Sequence, residues 1–280
     1  MSKKQKKEKG SVKKVVVIVI VVVILILLLA SIIGGQVYMK KDEKKKKEAP
    51  GNAESYNLEN IEAKSDSPLK GKNILFLGSS VTVGASSFGI SFADYIGKID
   101  GVNVTKEAVS STTLVDEWSI MAFLSTGNGN SYISRLNDVD VNQKFDMVVC
   151  QLSTNDATQK KELGIISDSE KLEDFDTKTI TGAMEYIICY SKEKWGCPVV
   201  FYTGSYYESD TYAAMVDRLV ELQDKWEIGV VNLYDDKEFN DIDEETYDFY
   251  MHDKIHPTKA GYLEWWTPAI EEVLYEYIGN

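Results

Sequence analysis

The 280-residue chain has little histidine and little arginine. Its only histidines are His252 and His256, so any imidazole base must be one of these two. Its only arginines are Arg135 and Arg218. The chain has 31 basic and 44 acidic residues. Residues 1–48 contain 13 of the basic and 4 of the acidic ones. Residues 49–280 therefore contain 18 basic and 40 acidic residues, a net charge of −22. Because phosphate binding requires clustered Lys and Arg, this composition argues against a nucleic acid partner.

Cysteine is also scarce. The three cysteines, Cys150, Cys189 and Cys197, form an odd set without the CxxC spacing of metal or redox motifs. Cys150 lies in an apolar run and is expected to be buried. Pairing of Cys189 with Cys197 outside the cell stays open.

One long apolar run, Val15 to Ile33, has 19 residues interrupted only by Ser31. As a helix it would be about 28 Å long, close to the roughly 30 Å of a bilayer core. We therefore expect a basic tail at 1–14, a transmembrane signal anchor at 15–35, a polar linker at 36–70 and a folded domain at 71–280. A cleaved signal peptide is the alternative, although its apolar core should be about 7–15 residues long and end in an Ala-x-Ala-like site.

The membrane orientation is hardly set by charge, because lysines flank the run on both sides. We expect the N-terminus inside because the run lies so near the start of the chain. This makes the protein a single-pass cell-membrane protein with its folded domain outside the cell.

The rest of the chain alternates between short apolar runs and segments with helical spacing. This alternation predicts an α/β fold, a three-layer α/β/α sandwich with a central, mostly parallel five-stranded sheet. The expected strands are 73–77, 102–108, 146–152, 199–202 and 230–233. The expected helices are 88–99, 118–124, 132–136, 177–195, 212–226 and 259–278.

Polar residues follow two of these strands. Ser80 follows the first strand in Gly78-Ser79-Ser80, and Asn155 follows the third. If the two strands are neighbours, both side chains meet at the sheet edge where α/β proteins bind ligands. A serine there could be a nucleophile, and an asparagine amide could donate to a developing oxyanion. Each pattern alone also fits an ordinary turn or helix cap.

His256 lies in Asp253-Lys254-Ile255-His256-Pro257. An Asp three residues before a His, in a turn fixed by proline, can accept a hydrogen bond from Nδ1–H and leave Nε2 facing a hydroxyl. This predicts His256 as a general base with Asp253 as its orienter. An exposed or capping histidine is one alternative. A metal site built from His252, Asp253 and His256 is another, although a clear fourth ligand is lacking.

Together these turns resemble the SGNH, or GDSL-like, serine esterases over about residues 72–275. The resemblance implies Ser80 as nucleophile, Asp253 and His256 as its partners, and no metal or organic cofactor. It also implies an oxyanion hole formed by the Ser80 amide, the Ser111 amide and the Asn155 side chain. The matching segments are Gly78-Ser79-Ser80-Val81-Thr82-Val83-Gly84, Val109-Ser110-Ser111-Thr112, Ser153-Thr154-Asn155-Asp156 and Asp253-Lys254-Ile255-His256-Pro257.

Three positions depart from the family pattern. Ser79 replaces the usual Asp, which is not itself catalytic in the family. Ser111 and Ser153 stand where glycines are expected, and the Cβ of Ser111 restricts the turn and could narrow the pocket. An α/β-hydrolase elbow does not fit, since Gly-x-Ser-x-Gly would need glycine where Thr82 stands.

The sequence therefore predicts a membrane-anchored serine esterase that acts through an acyl-enzyme. An outward-facing, tethered domain suggests O-acetyl groups on cell-envelope carbohydrate as the ester substrate. A lysophospholipase- or lipase-type esterase and a catalytically inactive, surface-anchored binding module are the alternatives.

Overall fold

The computed structural model describes residue 20, residues 22–23 and 34–35, and residues 37–278. The predicted tail and most of the predicted membrane helix lie outside these residues. Within the described residues, no helix is both long enough and apolar enough to cross a bilayer. The chain divides into two compact units between Glu48 and Ala49. In the first, residues 37–48 are helical, with ion pairs between residues one turn apart, such as Lys46 to Asp42 at 2.7 Å.

The second unit is built on a five-stranded sheet. Its strands are β1 (Asn73–Gly78), β2 (Asn103–Ala108), β3 (Met147–Gln151), β4 (Val199–Tyr202) and β5 (Gly229–Val231). They lie in the order β2-β1-β3-β4-β5, and every neighbouring pair is parallel. The predicted α/β fold with a parallel five-stranded sheet is confirmed. Strand order reverses between β1 and β3, and the crevice outside the carboxyl ends of two such strands is a usual ligand site.

Helices cover both faces of the sheet because successive strand residues point to opposite sides. Leu75 and Leu77 of β1 contribute to the core on one face, and Ile74 and Phe76 to the core on the other. The helices are α1 (Ser80–Val83), α2 (Phe92–Asp100), α3 (Ile120–Thr126), α4 (Tyr132–Asp138), α5 (Thr154–Thr158), α6 (Ile180–Trp195), α7 (Asp210–Trp226), α8 (Glu244–Tyr250) and α9 (Thr267–Tyr277).

The helices differ from the sequence-based expectation in two ways. The helix expected at 259–278 begins as a π-helical turn, Gly261–Trp266, which leads into α9. Helices α1, α5 and α8 are absent from the helices that the sequence predicts. Helix α8 has no buried residue, so the apolar periodicity that reveals an amphipathic helix is absent from it.

The segment 49–70, expected to be part of a polar linker, packs on the folded unit. The amide of Asn52 donates to Ser86 O at 2.9 Å, and its oxygen accepts from Lys259 N at 2.9 Å. Lys64 donates to Glu271 at 2.6 Å, and Leu69 is fully buried. The compact unit thus begins before the expected boundary at 71, because these polar side chains have partners far along the chain.

All three cysteines are unpaired and buried, so a disulfide between Cys189 and Cys197 is not formed. Burial raises the pKa of both thiols to about 11. A thiol with so high a pKa is a poor nucleophile at neutral pH.

Candidate active site

Ser80 stands at the carboxyl end of β1, where the chain leaves the sheet and enters the single turn of α1. The turn is fixed from the neighbouring strand by Gln151, at the end of β3. Its Oε1 accepts from Ser79 N at 2.9 Å and from Thr82 Oγ1 at 2.9 Å. Because Gln151 is only 1% exposed, these bonds are shielded from water and hold the backbone around Ser80 in one conformation.

The C-terminal end of α1 is also fixed, by a glycine and by a hydrogen bond from another segment. Gly84 ends the helix with a φ of 78°, in the left-handed region that glycine adopts without strain. A Cβ at this position would lie 2.5 Å from Ile90 O, so glycine is also required by the close approach of the chain. Tyr262 OH donates to Val81 O at 2.7 Å and ties the turn to the π-helical segment.

His256 is presented by a tight antiparallel turn. Met251 and Pro257 form a bridge across this turn, His252 N donates to His256 O at 2.9 Å, and Thr258 N donates to Tyr250 O at 2.8 Å. Such a turn brings residues three apart onto the same side of the loop. The sequence spacing from Asp253 to His256 thereby becomes a direct side-chain contact.

The structure brings Ser80, His256 and Asp253 together in a line. Ser80 Oγ lies 2.8 Å from His256 Nε2. His256 Nδ1 lies 3.0 Å from both carboxylate oxygens of Asp253. When Nδ1–H donates to the carboxylate, Nε2 carries the lone pair that can accept the Ser80 proton.

Asp253 is held in its charged form. Burial alone would raise its pKa, but the hydrogen bond and charge of His256 outweigh that effect and bring the pKa below its ordinary value. The backbone amides of Ile255 and His256 also donate to Oδ1, at 2.8 and 2.9 Å. Its side chain is 45% exposed, so solvent screens part of this stabilisation.

A metal site built from His252, Asp253 and His256 would need a ring nitrogen of each histidine and the Asp253 carboxylate to face one ion. Both ring nitrogens of His256 already face Ser80 and Asp253, and His252 is buried at 5% exposure. In the part of the chain that the structure describes, no group of three His, Cys, Asp or Glu side chains is placed to hold a metal ion.

Asn155 lies at the same sheet edge as Ser80, because β1 and β3 are neighbours and both residues follow the strand ends. It belongs to α5, whose first turn is capped by Ser153. The Asn155 amide donates one hydrogen to Thr112 O at 2.8 Å. Its second amide hydrogen has no acceptor within residues 37–278, which leaves a donor at this edge.

Ser111 adopts a φ of 65°, in the left-handed region that a residue with a Cβ rarely occupies. Its carbonyl accepts from Ser119 Oγ at 2.8 Å, which fixes the peptide plane. Within the described residues, neither Ser80 N–H nor Ser111 N–H donates to a protein acceptor. Strained, non-glycine backbone of this kind is concentrated at functional sites.

Arg135 is buried beside the site and holds its loops in place through hydrogen bonds, a role that the sequence did not reveal. On α4 and only 2% exposed, it donates to Gly78 O at 2.7 Å and to Asn130 O at 2.8 Å. It also donates to Thr112 Oγ1 at 3.1 Å. Among the described residues it forms no ion pair with a carboxylate. Burial lowers its pKa, but an arginine stays charged at neutral pH.

Asp156, next to Asn155, is a second support that the sequence did not reveal. It is fully buried and accepts from Leu114 N at 2.8 Å and from Val115 N at 3.1 Å. Burial raises its pKa to about 6, even though the hydrogen bonds from Ser153 and these amides act in the opposite direction. Asp156 thus joins the loop that contains Ser111 to the helix that contains Asn155.

No family model matches the sequence, and no curated protein does either. Solved structures do match. A protein named as a GDSL-like lipase from Bacteroides ovatus is 16% identical with a TM-score of 0.54, covering 74% of this chain and 99% of that one. Another so named, from Bacteroides uniformis, is 15% identical with a TM-score of 0.52, covering 75% and 96%.

A third match is a family two carbohydrate esterase from Clostridium thermocellum, solved in complex with cellohexaose. It is 16% identical with a TM-score of 0.50, covering 77% of this chain and 67% of that one. At these identities the similarity concerns the fold. The arrangement of strands and helices described above is therefore shared with these three solved structures.

Proposed function

We propose that this protein is a serine esterase that hydrolyses carboxylic esters through an acyl-enzyme. The observation that carries the proposal is the hydrogen-bonded line from Ser80 Oγ through His256 to the Asp253 carboxylate, at 2.8 and 3.0 Å. The GDSL-like lipases and the carbohydrate esterase that share its fold support the esterase class.

In this mechanism Ser80 Oγ attacks the ester carbonyl while His256 Nε2 takes its proton. Asp253 holds the imidazole in the required tautomer and stabilises the imidazolium. The oxyanion is met by the backbone N–H groups of Ser80 and Ser111 and by the free amide hydrogen of Asn155. His256 then returns the proton to the leaving alcohol, and a water activated by the same imidazole releases the acyl group.

Ser80→Ala tests the mechanism. We expect kcat for 4-nitrophenyl acetate to fall by a factor on the order of 10⁴ or more, because no nucleophile remains. Ser79→Ala is the matched control: the Ser79 hydroxyl makes a long, 3.3 Å hydrogen bond to Gln151, whose 2.9 Å bonds from Ser79 N and Thr82 remain, so activity should persist. A Ser80→Ala protein with wild-type activity would exclude the mechanism.

A fluorophosphonate probe separates the esterase from the alternative of an inactive binding module. The wild type and Ser79→Ala should be labelled, and Ser80→Ala should not. A folded wild-type protein that resists labelling would favour the binding module.

The proposed substrate is an O-acetyl ester of cell-envelope carbohydrate, and the proposed location is the outer face of the cell membrane, tethered through residues 15–35. The apolar run in the sequence supports the tether. Release of acetate from acetylated envelope polysaccharide, compared with hydrolysis of long-chain lipid esters, tests the substrate. Recovery of the full-length chain in the membrane fraction, and its removal from intact cells by external protease, tests the location.

One observation favours a second candidate, an esterase acting on lipid. Helix α3 and the residues before it expose a group of apolar side chains near Ser111: Trp118, Ile120, Met121, Phe123 and Leu124. A preference for octanoyl over acetyl esters would favour this lipase-type activity.

A further inference from the structure

A cleft beside the site is formed by the loop of Ser111 and the start of α3. Its volume is about 360 Å³, large enough for one or two sugar rings, since small-molecule sites range from about 300 to 1,000 Å³. We call it the α3 cleft. It is lined by Ser111, Thr113, Glu117, Trp118, Ser119, Ile120, Met121 and Gln159.

The cleft borders the proposed oxyanion hole at Ser111, which forms part of the cleft wall. An ester carbonyl held by Ser111 N–H therefore has one of its two substituents close to the cleft. An acetyl group is too small to fill this volume. For an acetyl ester, the alcohol portion is the part that would occupy it.

Trp118 is the aromatic residue that lines the cleft. Its side chain is 57% exposed although its indole is held from behind. Phe123 packs on it with ring centroids 5.2 Å apart, and a Cβ on Gly129 would lie 2.6 Å from Trp118 Nε1. An indole fixed in place but open to solvent can pack against an apolar ring face at little cost in side-chain entropy.

Polar groups stand beside the indole. Glu117 is paired with Lys161 through one carboxylate oxygen, and the other oxygen can accept a hydrogen bond. Gln159, which is exposed, adds an amide. A long acyl chain would remove the Glu117 carboxylate from water without giving it a hydrogen bond, which is costly, whereas sugar hydroxyls would supply one. The net charge of −22 after residue 48 disfavours a polyanionic ligand.

From this combination we propose that the α3 cleft binds the sugar rings of a neutral, O-acetylated glycan, with Trp118 as the surface on which a ring packs. The proposal rests on the esterase function, since the cleft is assigned to the alcohol portion of the ester. It makes Trp118 a specificity residue, separate from the groups that perform the chemistry.

The test compares the full-length wild type with Trp118→Ala on three substrates: vinyl acetate, vinyl octanoate and partially O-acetylated cello-oligosaccharides. We expect Trp118→Ala to lower kcat/KM for the oligosaccharides about tenfold (~1.4 kcal/mol), mainly through KM. For vinyl acetate the change should stay within about twofold, because its two-carbon alcohol portion is too small to fill the cleft. Ile165→Ala, which removes another exposed apolar side chain outside the cleft, is the control and should change neither.

Binding of unacetylated cello-oligosaccharides, measured by calorimetry, is the second readout. Wild type should bind them and Trp118→Ala should not. Equal losses on all substrates would indicate a structural effect of the substitution, and a loss confined to the octanoate would indicate an acyl groove; either result overturns the proposal. If the wild type hydrolyses no ester, the proposed function fails, and the binding measurement still decides whether the cleft holds sugar.

Discussion

Replacing Arg135 by methionine should impair activity more than stability. The side chain donates to Gly78 O, Asn130 O and Thr112 Oγ1 at 2.7 to 3.1 Å. Gly78 directly precedes the turn of Ser80, and the carbonyl of Thr112 receives the amide of Asn155. One guanidinium thus connects the serine turn to the loop of Ser111.

The cost in stability is the difference between two opposing terms. Three hydrogen bonds to a buried charged donor contribute about 1.5 to 3 kcal/mol each, although such values are not additive. Burying a guanidinium without a carboxylate partner costs several kcal/mol, and methionine removes that cost. We therefore expect a net loss of about 2 kcal/mol, or roughly 4 to 8 °C in melting temperature for a domain of this size.

For stability, the removed cost of burying the guanidinium partly offsets the lost hydrogen bonds, but no such gain offsets the loss of activity. The Arg135 charge has no carboxylate partner among the described residues, so it remains available to the negative charge that develops on the oxyanion. Losing both this charge and the alignment of the loop should lower kcat by about 10²-fold, the effect typical of losing one oxyanion donor. Arg135→Lys keeps the charge but cannot reach every acceptor, and should recover part of the loss.

The assay is kcat and KM for 4-nitrophenyl acetate well below the melting temperature, with thermal unfolding followed by circular dichroism. Arg218→Met is a matched control, because Arg218 is the chain's other arginine and donates to Gly164 O and Thr181 Oγ1 at 2.7 and 2.8 Å. It should lose stability without a comparable loss of kcat. An Arg135→Met protein with kcat within threefold of wild type would refute the reasoning.

Three further substitutions test other parts of the site. Ser111→Gly should stabilise the fold by about 1 kcal/mol, because glycine adopts the positive φ without strain. Thermal unfolding measures this gain, and the esterase assay should show an unchanged kcat; a lower melting temperature would contradict the prediction. Asp253→Asn should lower kcat by about 10³ to 10⁴, because the imidazole loses its orienting carboxylate; a loss below tenfold would exclude that role. Asp156→Asn tests a pH effect on unfolding free energy. Since burial raises the Asp156 pKa from 3.8 to about 6, ionisation disfavours the folded state, and the wild type should lose stability relative to the variant as pH rises from 4 to 6; a constant difference would contradict this.

The strands could be predicted from sequence because a parallel sheet covered on both faces requires continuous apolar segments. The run at Val199–Tyr202 matches β4 at both ends, and the other strands shift by one or two residues. The order of the strands, which places Ser80 and Asn155 at one edge, is set by no local pattern, so the sequence analysis could only make it a condition.

The roles of Gln151 and Arg135, which hold the serine turn in place, could not be predicted from local sequence patterns. Gln151 acts on Ser79, 72 residues away, and Arg135 on Gly78, 57 residues away. Nothing near either residue in the sequence indicates the partner. Arg135 would be expected at the surface from its charge alone, whereas its hydrogen bonds explain its burial.

The segment 49–70 shows why composition misled at the domain boundary. Polar content measures how well a segment could be solvated, but not whether its polar groups have protein partners. The Asn52 side chain has such partners in Ser86 O and Lys259 N, and Lys259 lies three residues beyond His256. The residues that resemble a tether therefore help to fix the chain that leaves the histidine turn. A catalytic fragment begun at residue 71 would lose this support, whereas one begun at Ala49 retains it.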